Sequence, residues 1–215
     1  MKPINILLVD DHAIVREGYR ALLNRQEGFN IVAEAESGEK AYALYRQVEP
    51  DLVLLDLSLP GKGGLATLIQ IRQFDPKAII LVFSMHQNPG VAKKTIEAGA
   101  RGYITKSSDP NVLVGAVRDV MNGRVAMSDD ITRGLALENI NGERSILSDL
   151  TTREFEILRM LAEGKTKSDI ADTLCISVKT VANSHYLIKS KLQVKTDIEL
   201  IHAAIKAGII LPPEV

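Results

Sequence analysis

Cysteine, long apolar runs and an excess of one charge sign are all scarce in this chain of 215 residues. The single cysteine, Cys175, excludes an internal disulfide and a multi-cysteine zinc site. The longest apolar runs, such as residues 4–9, are about six residues long, far short of the ~20 that a membrane helix needs. The amino terminus also lacks a signal-peptide pattern, so we expect a cytoplasmic protein without a membrane segment.

The formal net charge of −1 gives no overall sign of nucleic-acid binding, so any such signal has to be local. Apolar residues make up 46% and charged residues 25% of the sequence, which is ordinary for a folded protein and too apolar for a disordered one. At about 150 residues per domain, the length corresponds to one or two domains.

The first 122 residues alternate between two hydrophobic patterns. Five short runs rich in leucine and β-branched residues predict strands at residues 4–9, 31–33, 52–55, 78–83 and 102–104. Segments of helical length and period lie near residues 13–26, 38–48, 64–74, 90–98 and 110–122. Several strand runs are continuously apolar, which is typical of strands buried on both faces. The alternation predicts right-handed βαβ units and an α/β domain with a five-stranded parallel sheet over residues 1–122.

Glycine, asparagine and serine interrupt any long period over residues 123–148, which predicts a linker with one short helix around residues 131–137. From residue 149 to residue 215 the pattern is helical throughout, which predicts a second, smaller all-α domain.

The starts of its helices are marked by hydroxyl residues. Thr151, Thr166 and Thr196 each stand three residues before an acid, the spacing of a capping box, and Ser177 can cap a further helix. These starts predict four helices of roughly 12, 9, 15 and 11 residues. The middle two are joined by the short turn at residues 175–177, which indicates a helix-turn-helix.

Acidic, hydroxyl and basic residues stand where the predicted strands end. They are Asp10 and Asp11 after the first strand, Asp56 after the third, Ser84 after the fourth and Lys106 after the fifth. In an open parallel sheet such positions converge on one crevice. Converging carboxylates repel one another unless a cation is present, and an oxygen-rich site suits Mg²⁺. With an ammonium and a hydroxyl added, the cluster matches the needs of a phosphoryl group transferred onto a carboxylate.

These segments resemble the receiver domain of two-component response regulators over residues 4–122. The resemblance rests on Val9-Asp10-Asp11-His12, Leu54-Leu55-Asp56-Leu57-Ser58-Leu59-Pro60-Gly61, Ser84 and Thr105-Lys106. It implies a flavodoxin-like fold in which Asp56 is the phosphoacceptor. Mg²⁺ would be held by Asp10, Asp11, Asp56 and the Ser58 carbonyl, with Asp11 the direct ligand of the first pair.

The same resemblance implies that Lys106 binds the phosphoryl oxygens and that Ser84 and Tyr103 form a switch pair. The chain departs from the family at two loop positions. Ser107 follows the lysine where many receivers have proline, and Gly63 stands where an acid is common.

The third helix of the second domain, predicted from Val178 to Leu192, carries two stripes. One stripe is suited to a core: Val178, Val181, His185, Ile188 and Leu192. The other has the spacing to meet base edges in a major groove: Lys179, Asn183, Tyr186 and Ser190. Six lysines against two aspartates give residues 165–195 a net charge of +4, whereas residues 149–215 balance to zero. Basic charge is therefore concentrated where DNA phosphates would lie.

This domain resembles the LuxR-type helix-turn-helix across residues 149–210. The matching positions are Leu150-Thr151, Arg153-Glu154, Leu158, Gly164, Ile170-Ala171, Leu174, Ile176-Ser177, Thr180-Val181 and Lys191-Leu192. The predicted DNA contacts are Lys165, Lys167, Lys179, Thr180, Asn183, Tyr186, Lys189, Ser190 and Lys191. One departure is Ala182-Asn183-Ser184, where the family often has Lys-x-His, so the DNA sequence that relatives bind does not carry over.

A receiver followed by this domain is similar to the NarL/FixJ class of response regulators. The resemblance implies a cytoplasmic transcriptional regulator that is not primarily an enzyme. Its partners would be a sensor histidine kinase, double-stranded DNA and a second copy of the chain, which joins on phosphorylation or DNA binding. In the last helix, the stripe expected to face the core of the domain carries Ile198, Ile201 and Ile205. The stripe left as a dimer surface carries Leu200, Ala203 and Ala207. His185 is expected to be a core or boundary histidine and Cys175 a small buried filler.

Three alternatives remain open at this stage. A haloacid-dehalogenase-like phosphatase uses a strand-end aspartate but needs a second acid at position 58, where this chain has serine. A flavodoxin needs a hydroxyl-rich phosphate loop after the first strand, and Asp10-Asp11-His12 disfavours an anion there. A constitutive DNA-binding protein would keep the fold and be regulated by a protein partner without phosphate.

Overall fold

The computed structural model describes residues 3–141, 147 and 149–210. The strands are β1 (Ile4–Val9), β2 (Phe29–Ala35), β3 (Leu52–Leu55), β4 (Ile80–Ser84), β5 (Gly102–Thr105) and β6 (Ala126–Met127). The helices up to residue 141 are α1 (Ala13–Asn24), α2 (Gly38–Val48), α3 (Gly63–Phe74), α4 (Pro89–Glu97), α5 (Pro110–Met121) and α6 (Asp129–Asn141). The last four are α7 (Thr152–Ala162), α8 (Lys167–Leu174), α9 (Val178–Lys191) and α10 (Asp197–Lys206).

The strands form one parallel sheet with the order β2-β1-β3-β4-β5-β6. Its first five strands have the flavodoxin-like order, which confirms the predicted fold class. Every residue of β3, β4 and β5 is buried, as their continuous apolar runs predicted, because helices cover both faces of a parallel sheet. Strand β2 lies at one edge and is mostly half-buried.

The predicted strand count of five was one too low. Residues 126 and 127 form a short edge strand that pairs with β5 at Gly102 and Tyr103. A Cβ added at Gly102 would lie 2.6 Å from the carbonyl oxygen of Ala126, so the absence of a side chain there permits this pairing. Two residues are too few to produce a readable alternation, which is why the strand was missed.

Within the segment predicted as a linker, the described residues 123–141 include β6. After β6 it continues into α6, which is longer than the short helix expected around residues 131–137. By contacts, the chain divides into two compact units, Met1–Met85 with Thr95–Thr132 and His86–Lys94 with Arg133–Val215. The domain boundaries at residues 122 and 149 stay a prediction.

The four carboxyl-terminal helices begin where their caps predicted. Thr151, Thr166 and Thr196 each form a complete capping box, and Ser177 accepts a hydrogen bond from the backbone N–H of Thr180. The turn between α8 and α9 contains Cys175 at a φ of 53°. Its side chain is exposed, so the expectation of a small buried filler was wrong.

The predicted faces of α10 are wrong at Ile198, Leu200 and Ala207, whereas Ile201, Ala203 and Ile205 are half-buried. Leu200 and Ala207 are buried, whereas Ile198 is 68% exposed. Both stripes have helical spacing, so the period alone could not select the buried one. The helix starts at Asp197, which leaves Ile198 in its first turn, and the buried stripe begins one residue after Glu199. The predicted dimer surface on Leu200 and Ala207 is therefore excluded. Among the described residues, no helix has the length and apolar character to cross a membrane.

Candidate metal centre and nucleic-acid interface

The ends of four neighbouring strands bring the predicted polar residues together. Asp10, Asp56 and Lys106 each directly follow a strand, and Ser84 is the last residue of β4. Backbone hydrogen bonds set their register: the N–H of Asp56 donates to the carbonyl of Val9 over 2.9 Å, and that of Lys106 to the carbonyl of Ser84 over 2.8 Å. The parallel ladder itself thus aligns these residues at one edge, as the sequence predicted.

Lys106 joins two of the carboxylates. Its Nζ lies 2.6 Å from Oδ2 of Asp10 and 2.6 Å from Oδ2 of Asp56. Both aspartates are 2% exposed, so these are shielded charge-assisted contacts rather than surface ion pairs. Burial alone would lower the pKa of Lys106, but the charge of Asp56 and the hydrogen bonds to both carboxylates outweigh it and raise the pKa. The ammonium therefore stays charged.

The remaining carboxylate oxygens are held by the backbone. The N–H of His12 donates to Oδ1 of Asp10 over 2.8 Å, and the N–H of Ser58 donates to Oδ1 of Asp56 over 3.2 Å. These bonds fix each carboxylate plane and leave the Lys106-bound oxygens facing the crevice.

Asp11 supplies the third carboxylate. Its Oδ1 is buried and accepts no hydrogen bond within the described part of the chain, although the Nδ1 of His12 lies 2.8 Å away. Ligand atoms of Asp10, Asp11 and His12 lie within 4.8 Å of one another. Three carboxylates against one ammonium leave two negative charges, and the donor oxygens are of the kind that a hard divalent cation binds. The residues present therefore fit Mg²⁺.

Ser84 on β4 is paired in register with Thr105 on β5, and Tyr103 lies two residues before Thr105 on the same strand. Ser84 and Tyr103 are both 0% exposed. A hydrogen bond links their hydroxyl groups. Burial is the main cause that raises the pKa of Tyr103, and the charge of Asp56 adds to it, so the phenol remains neutral. The predicted switch pair is thus in direct contact within reach of the field of Asp56.

Two aromatic residues near Lys106 were not anticipated from the sequence. The Lys106 Nζ lies 5.9 Å from the ring centroid of Phe83, and Tyr19 packs edge-on against Phe83 with centroids 4.5 Å apart. Burial raises the pKa of Tyr19, with the charge of Lys106 acting in the opposite direction. Phe83 was visible only as one apolar residue in a strand, since its proximity to Lys106 depends on how the sheet is assembled.

Gly64 is a further requirement of the site that the sequence did not reveal. A Cβ added at this position would lie 2.1 Å from the carbonyl oxygen of Asp56 and 2.5 Å from the Cα of Leu57. The N–H of Gly64 donates to the carbonyl of Leu57 over 3.0 Å. The start of α3 therefore packs directly against the backbone of Asp56 and Leu57.

Helix α9 separates its two stripes as predicted. Val181, His185 and Ile188 are buried, whereas Val178, at the start of the helix, is 49% exposed. The exposed predicted DNA contacts are Lys165, Lys167, Lys179, Thr180, Asn183, Tyr186 and Ser190. Tyr186 is 75% exposed, which is unusual for an aromatic side chain and consistent with a binding surface.

The other two predicted contacts, Lys189 and Lys191, form ion pairs within the domain. The Nζ of Lys191 lies 2.6 Å and 2.8 Å from the two carboxylate oxygens of Glu154, which ties the end of α9 to the start of α7. The Nζ of Lys189 lies 2.9 Å from Asp197 at the start of α10. Asp197 also lies 3.0 Å from Nε2 of His185, which confirms the boundary role expected for that histidine.

Comparisons with known proteins agree with this geometry. The sequence matches the response regulator receiver domain over residues 6–118 and the luxR family of bacterial regulatory proteins over residues 148–204. The response regulator UvrY of Escherichia coli (strain K12) is 37% identical over 208 residues, which cover 96% of this chain and 95% of UvrY. The transcriptional activator protein ExaE of Pseudomonas putida is 41% identical over 212 residues, covering 96% of this chain and 98% of ExaE.

A solved structure aligns over nearly the same length. RcsB from Salmonella enterica serovar Typhimurium, bound to promoter rprA in the presence of the phosphomimetic BeF3-, is 26% identical with a TM-score of 0.80. The alignment covers 94% of this chain and 98% of RcsB. Neither the flavodoxin nor the phosphatase alternative explains why one half of the chain matches a receiver domain and the other half matches the luxR family. The chain therefore belongs to the NarL/FixJ class of response regulators, transcriptional regulators of two-component systems that are not primarily enzymes.

Proposed function

We propose that Asp56 is the phosphoacceptor of this response regulator. The observation that carries the proposal is the position of the Lys106 ammonium, 2.6 Å from both Asp56 and Asp10. A carboxylate oxygen of Asp56 would attack the phosphorus of the donor, forming a new P–O bond while the bond to the leaving group breaks. The leaving group keeps the electron pair, and Lys106 compensates the charge of the transferred phosphoryl oxygens.

The proposal includes Mg²⁺ as the cofactor. Asp10, Asp11, Asp56 and the carbonyl of Ser58 would hold it, and the buried Oδ1 of Asp11, which lies 2.8 Å from the Nδ1 of His12, would be a direct ligand. When bound, the ion supplies positive charge next to the transferred group. The chain's own contribution is to hold the carboxylates through the backbone N–H groups of His12 and Ser58.

The proposed response begins at Ser84 and Tyr103. An acyl phosphate on Asp56 adds about 1.5–2 negative charges beside this buried pair. The Ser84 hydroxyl can then donate to a phosphoryl oxygen, which changes its bond with Tyr103. The phosphodonor would be a sensor histidine kinase, and the protein would act in the cytoplasm.

The proposed output is binding to double-stranded DNA through α9. Exposed Lys179, Asn183 and Tyr186 would meet base edges, while Lys165 and Lys167 before and at the start of α8 would meet phosphates. RcsB, over a similar length of chain, has been solved bound to promoter DNA and as two dimers on two parallel DNAs. By analogy, we propose that this chain acts as a homodimer on DNA.

The test is DNA affinity with and without phosphorylation. Wild type and Asp56→Asn are treated with acetyl phosphate and Mg²⁺, and their binding to duplexes selected from genomic DNA is measured. We expect affinity to rise about 5-fold to 150-fold in wild type, the usual range of coupling between two sites, and to stay unchanged in the variant. An equal rise in both proteins would contradict the proposal, and high affinity without any rise would favour the constitutive DNA-binding protein.

A further inference from the structure

The loop between β1 and α1 carries Asp10 and Asp11, and the backbone of Asp10 is held on both sides. Its N–H donates to the carbonyl of Ala35 at the end of β2 over 3.0 Å. Its carbonyl accepts a hydrogen bond from Nη1 of Arg16 over 2.6 Å. Because both carboxylate oxygens are bonded as described above, every polar group of Asp10 has a partner.

Arg16 reaches this carbonyl from an electrostatically unusual position. It is the fourth residue of α1, and its side chain extends back past the start of the helix to Asp10. The positive end of the helix dipole disfavours a cation in the first turn. His12, the residue before the helix, forms no side-chain cap that the arginine could support. A helix-capping role therefore does not explain where this guanidinium lies.

Glu34 on β2 holds the guanidinium in place. Its Oε2 lies 3.7 Å from Nε of Arg16, and its Oε1 lies 3.2 Å from Nη1 of Arg20, one turn further along α1. The side chain of Arg16 is 17% exposed, whereas that of Arg20 is 48% exposed. Glu34 is next to Ala35 in sequence, so β2 fixes the N–H of Asp10 directly and its carbonyl through Arg16.

Building on the proposed Mg²⁺ site, we propose that Arg16 is a positioning residue for the carboxylate of Asp11. The carbonyl of Asp10 and the N–H of Asp11 belong to one planar peptide unit. A bond to this carbonyl therefore also sets the direction in which Asp11 leaves the strand. Removing a group that orients a metal ligand typically lowers the affinity for the ion about 10-fold to 100-fold. Arg16 thus acts on cation binding through the backbone of Asp11.

Positioning and simple electrostatics predict opposite results. A guanidinium near three carboxylates repels a divalent cation, so an arginine that acted only by its charge would weaken Mg²⁺ binding, and its removal would strengthen it. An arginine that positions Asp11 has the opposite effect when removed. Arg20→Met is the matched control for Arg16→Met, because it removes the same charge from the same Glu34 one helix turn away.

The first test is the dissociation constant of Mg²⁺, measured by isothermal titration calorimetry on the unphosphorylated full chain. We expect it to rise about 10-fold in Arg16→Met and to stay within about 2-fold of wild type in Arg20→Met. Arg16→Lys keeps the charge but loses the fork that reaches Glu34 and the Asp10 carbonyl together, so binding should weaken here as well. An unchanged or lower dissociation constant in Arg16→Met, or wild-type binding in Arg16→Lys, would overturn the proposal.

The second test needs no metal. Amide resonances and hydrogen exchange of the metal-free full chain are compared by NMR for the same variants. We expect the Asp11 amide resonance to shift in Arg16→Met, and the His12 amide, which donates to Asp10, to exchange faster. Both amides should stay as in wild type in Arg20→Met. Wild-type behaviour of both amides in Arg16→Met would overturn the positioning role. A wild-type chain that binds no Mg²⁺ would instead contradict the proposed function, and the NMR comparison would still decide whether Arg16 fixes this loop.

Discussion

Lys106 shows how one residue organises this site. Its ammonium contacts both Asp10 and Asp56, and both of those side chains are almost fully buried. Removing one partner of a buried charged pair leaves the other without compensation, which is far more costly than losing a surface pair. The lysine therefore stabilises the arrangement of carboxylates as well as compensating the charge of a transferred group.

At the same scale, Gly64 gives a sharp prediction. Gly64→Ala would bring a Cβ within 2.1 Å of the Asp56 carbonyl oxygen, so the backbone at Asp56 or the start of α3 must shift. We expect the free energy of unfolding to fall by about 1–3 kcal/mol, and the rate of phosphorylation by acetyl phosphate to fall with it. Denaturant unfolding and phosphoryl incorporation measure the two effects.

The matched control is Gly115→Ala in α5, where an added Cβ meets nothing within 4 Å. Alanine there should stabilise the helix by about 0.5–1 kcal/mol, because glycine is disfavoured inside a helix. If Gly64→Ala behaved like this control, close packing against Asp56 would not be a constraint on the site.

The lysines of α9 give a second prediction at this scale. Lys179 is exposed, whereas the charge of Lys191 is compensated by Glu154 at 2.6 Å. Lys179→Met should therefore reduce the slope of log affinity for duplex DNA against log salt by about one. Lys191→Met should reduce this slope by clearly less, because the charge of Lys191 is compensated by Glu154 rather than by a DNA phosphate. Equal reductions would mean that Lys191 leaves Glu154 to contact a phosphate.

At the scale of elements, α9 and α10 are joined by a titratable contact. His185 on α9 is buried and lies 3.0 Å from Asp197 at the start of α10. Burial lowers the pKa of His185 below its ordinary value of 6.5, with Asp197 acting in the opposite direction and Lys167 and Lys189 adding to the lowering. The folded state thus favours the neutral imidazole.

This shift predicts a pH dependence with a definite sign. Near pH 6.5 and below, the unfolded chain binds a proton that the folded chain does not, so stability falls as pH is lowered. The stability that neutral His185 contributes is complete above pH 6.5. It is lost as the pH falls through 6.5 towards the pKa of His185 in the folded state. We expect the Tm of this part of the chain to drop between about pH 7.5 and 5.5, and to drop less in His185→Gln. His202→Gln, on the exposed part of α10, should keep the wild-type drop. If the Tm of His185→Gln dropped as much as that of wild type, His185 would be ruled out as the source of the pH dependence.

Elements also show what could be read from the sequence. Helix starts at Thr151, Thr166 and Thr196 were correct because a capping box is a contact between residues three apart, which a sequence displays directly. The buried face of α10 was wrong because two stripes had the same period, and only packing against α7 and its neighbours selects between them. Strand β6 was missed because its two residues depend on β5 rather than on any pattern of their own.

For the whole molecule, the strand order determines which residues meet. Asp10, Asp56 and Lys106 are distant in sequence, yet a parallel sheet places the ends of their strands at one edge, so this part of the site was predictable. Phe83 and Gly64 were not, because their importance arises from approaches between elements that no local pattern encodes.

The whole molecule also sets the energetic scale of the response. Moving a two-state equilibrium from 1:99 to 99:1 requires about 5.5 kcal/mol of differential stabilisation. A single hydrogen bond contributes about 0.5–1.5 kcal/mol, so the response must use several contacts together. The Ser84–Tyr103 pair and the hydrogen bonds of Lys106 are contacts of this kind.

Mapping the phosphoryl group by mass spectrometry tests the central claim most directly. The full chain is incubated with acetyl phosphate, with Mg²⁺ or with a chelator, and the acyl phosphate is located by peptide sequencing after borohydride trapping. The account predicts one phosphoryl group, on Asp56, formed with Mg²⁺ and strongly reduced in the chelator, and none on Asp56→Asn. Incorporation at another residue, or equal incorporation on Asp56 with and without the divalent cation, would contradict it.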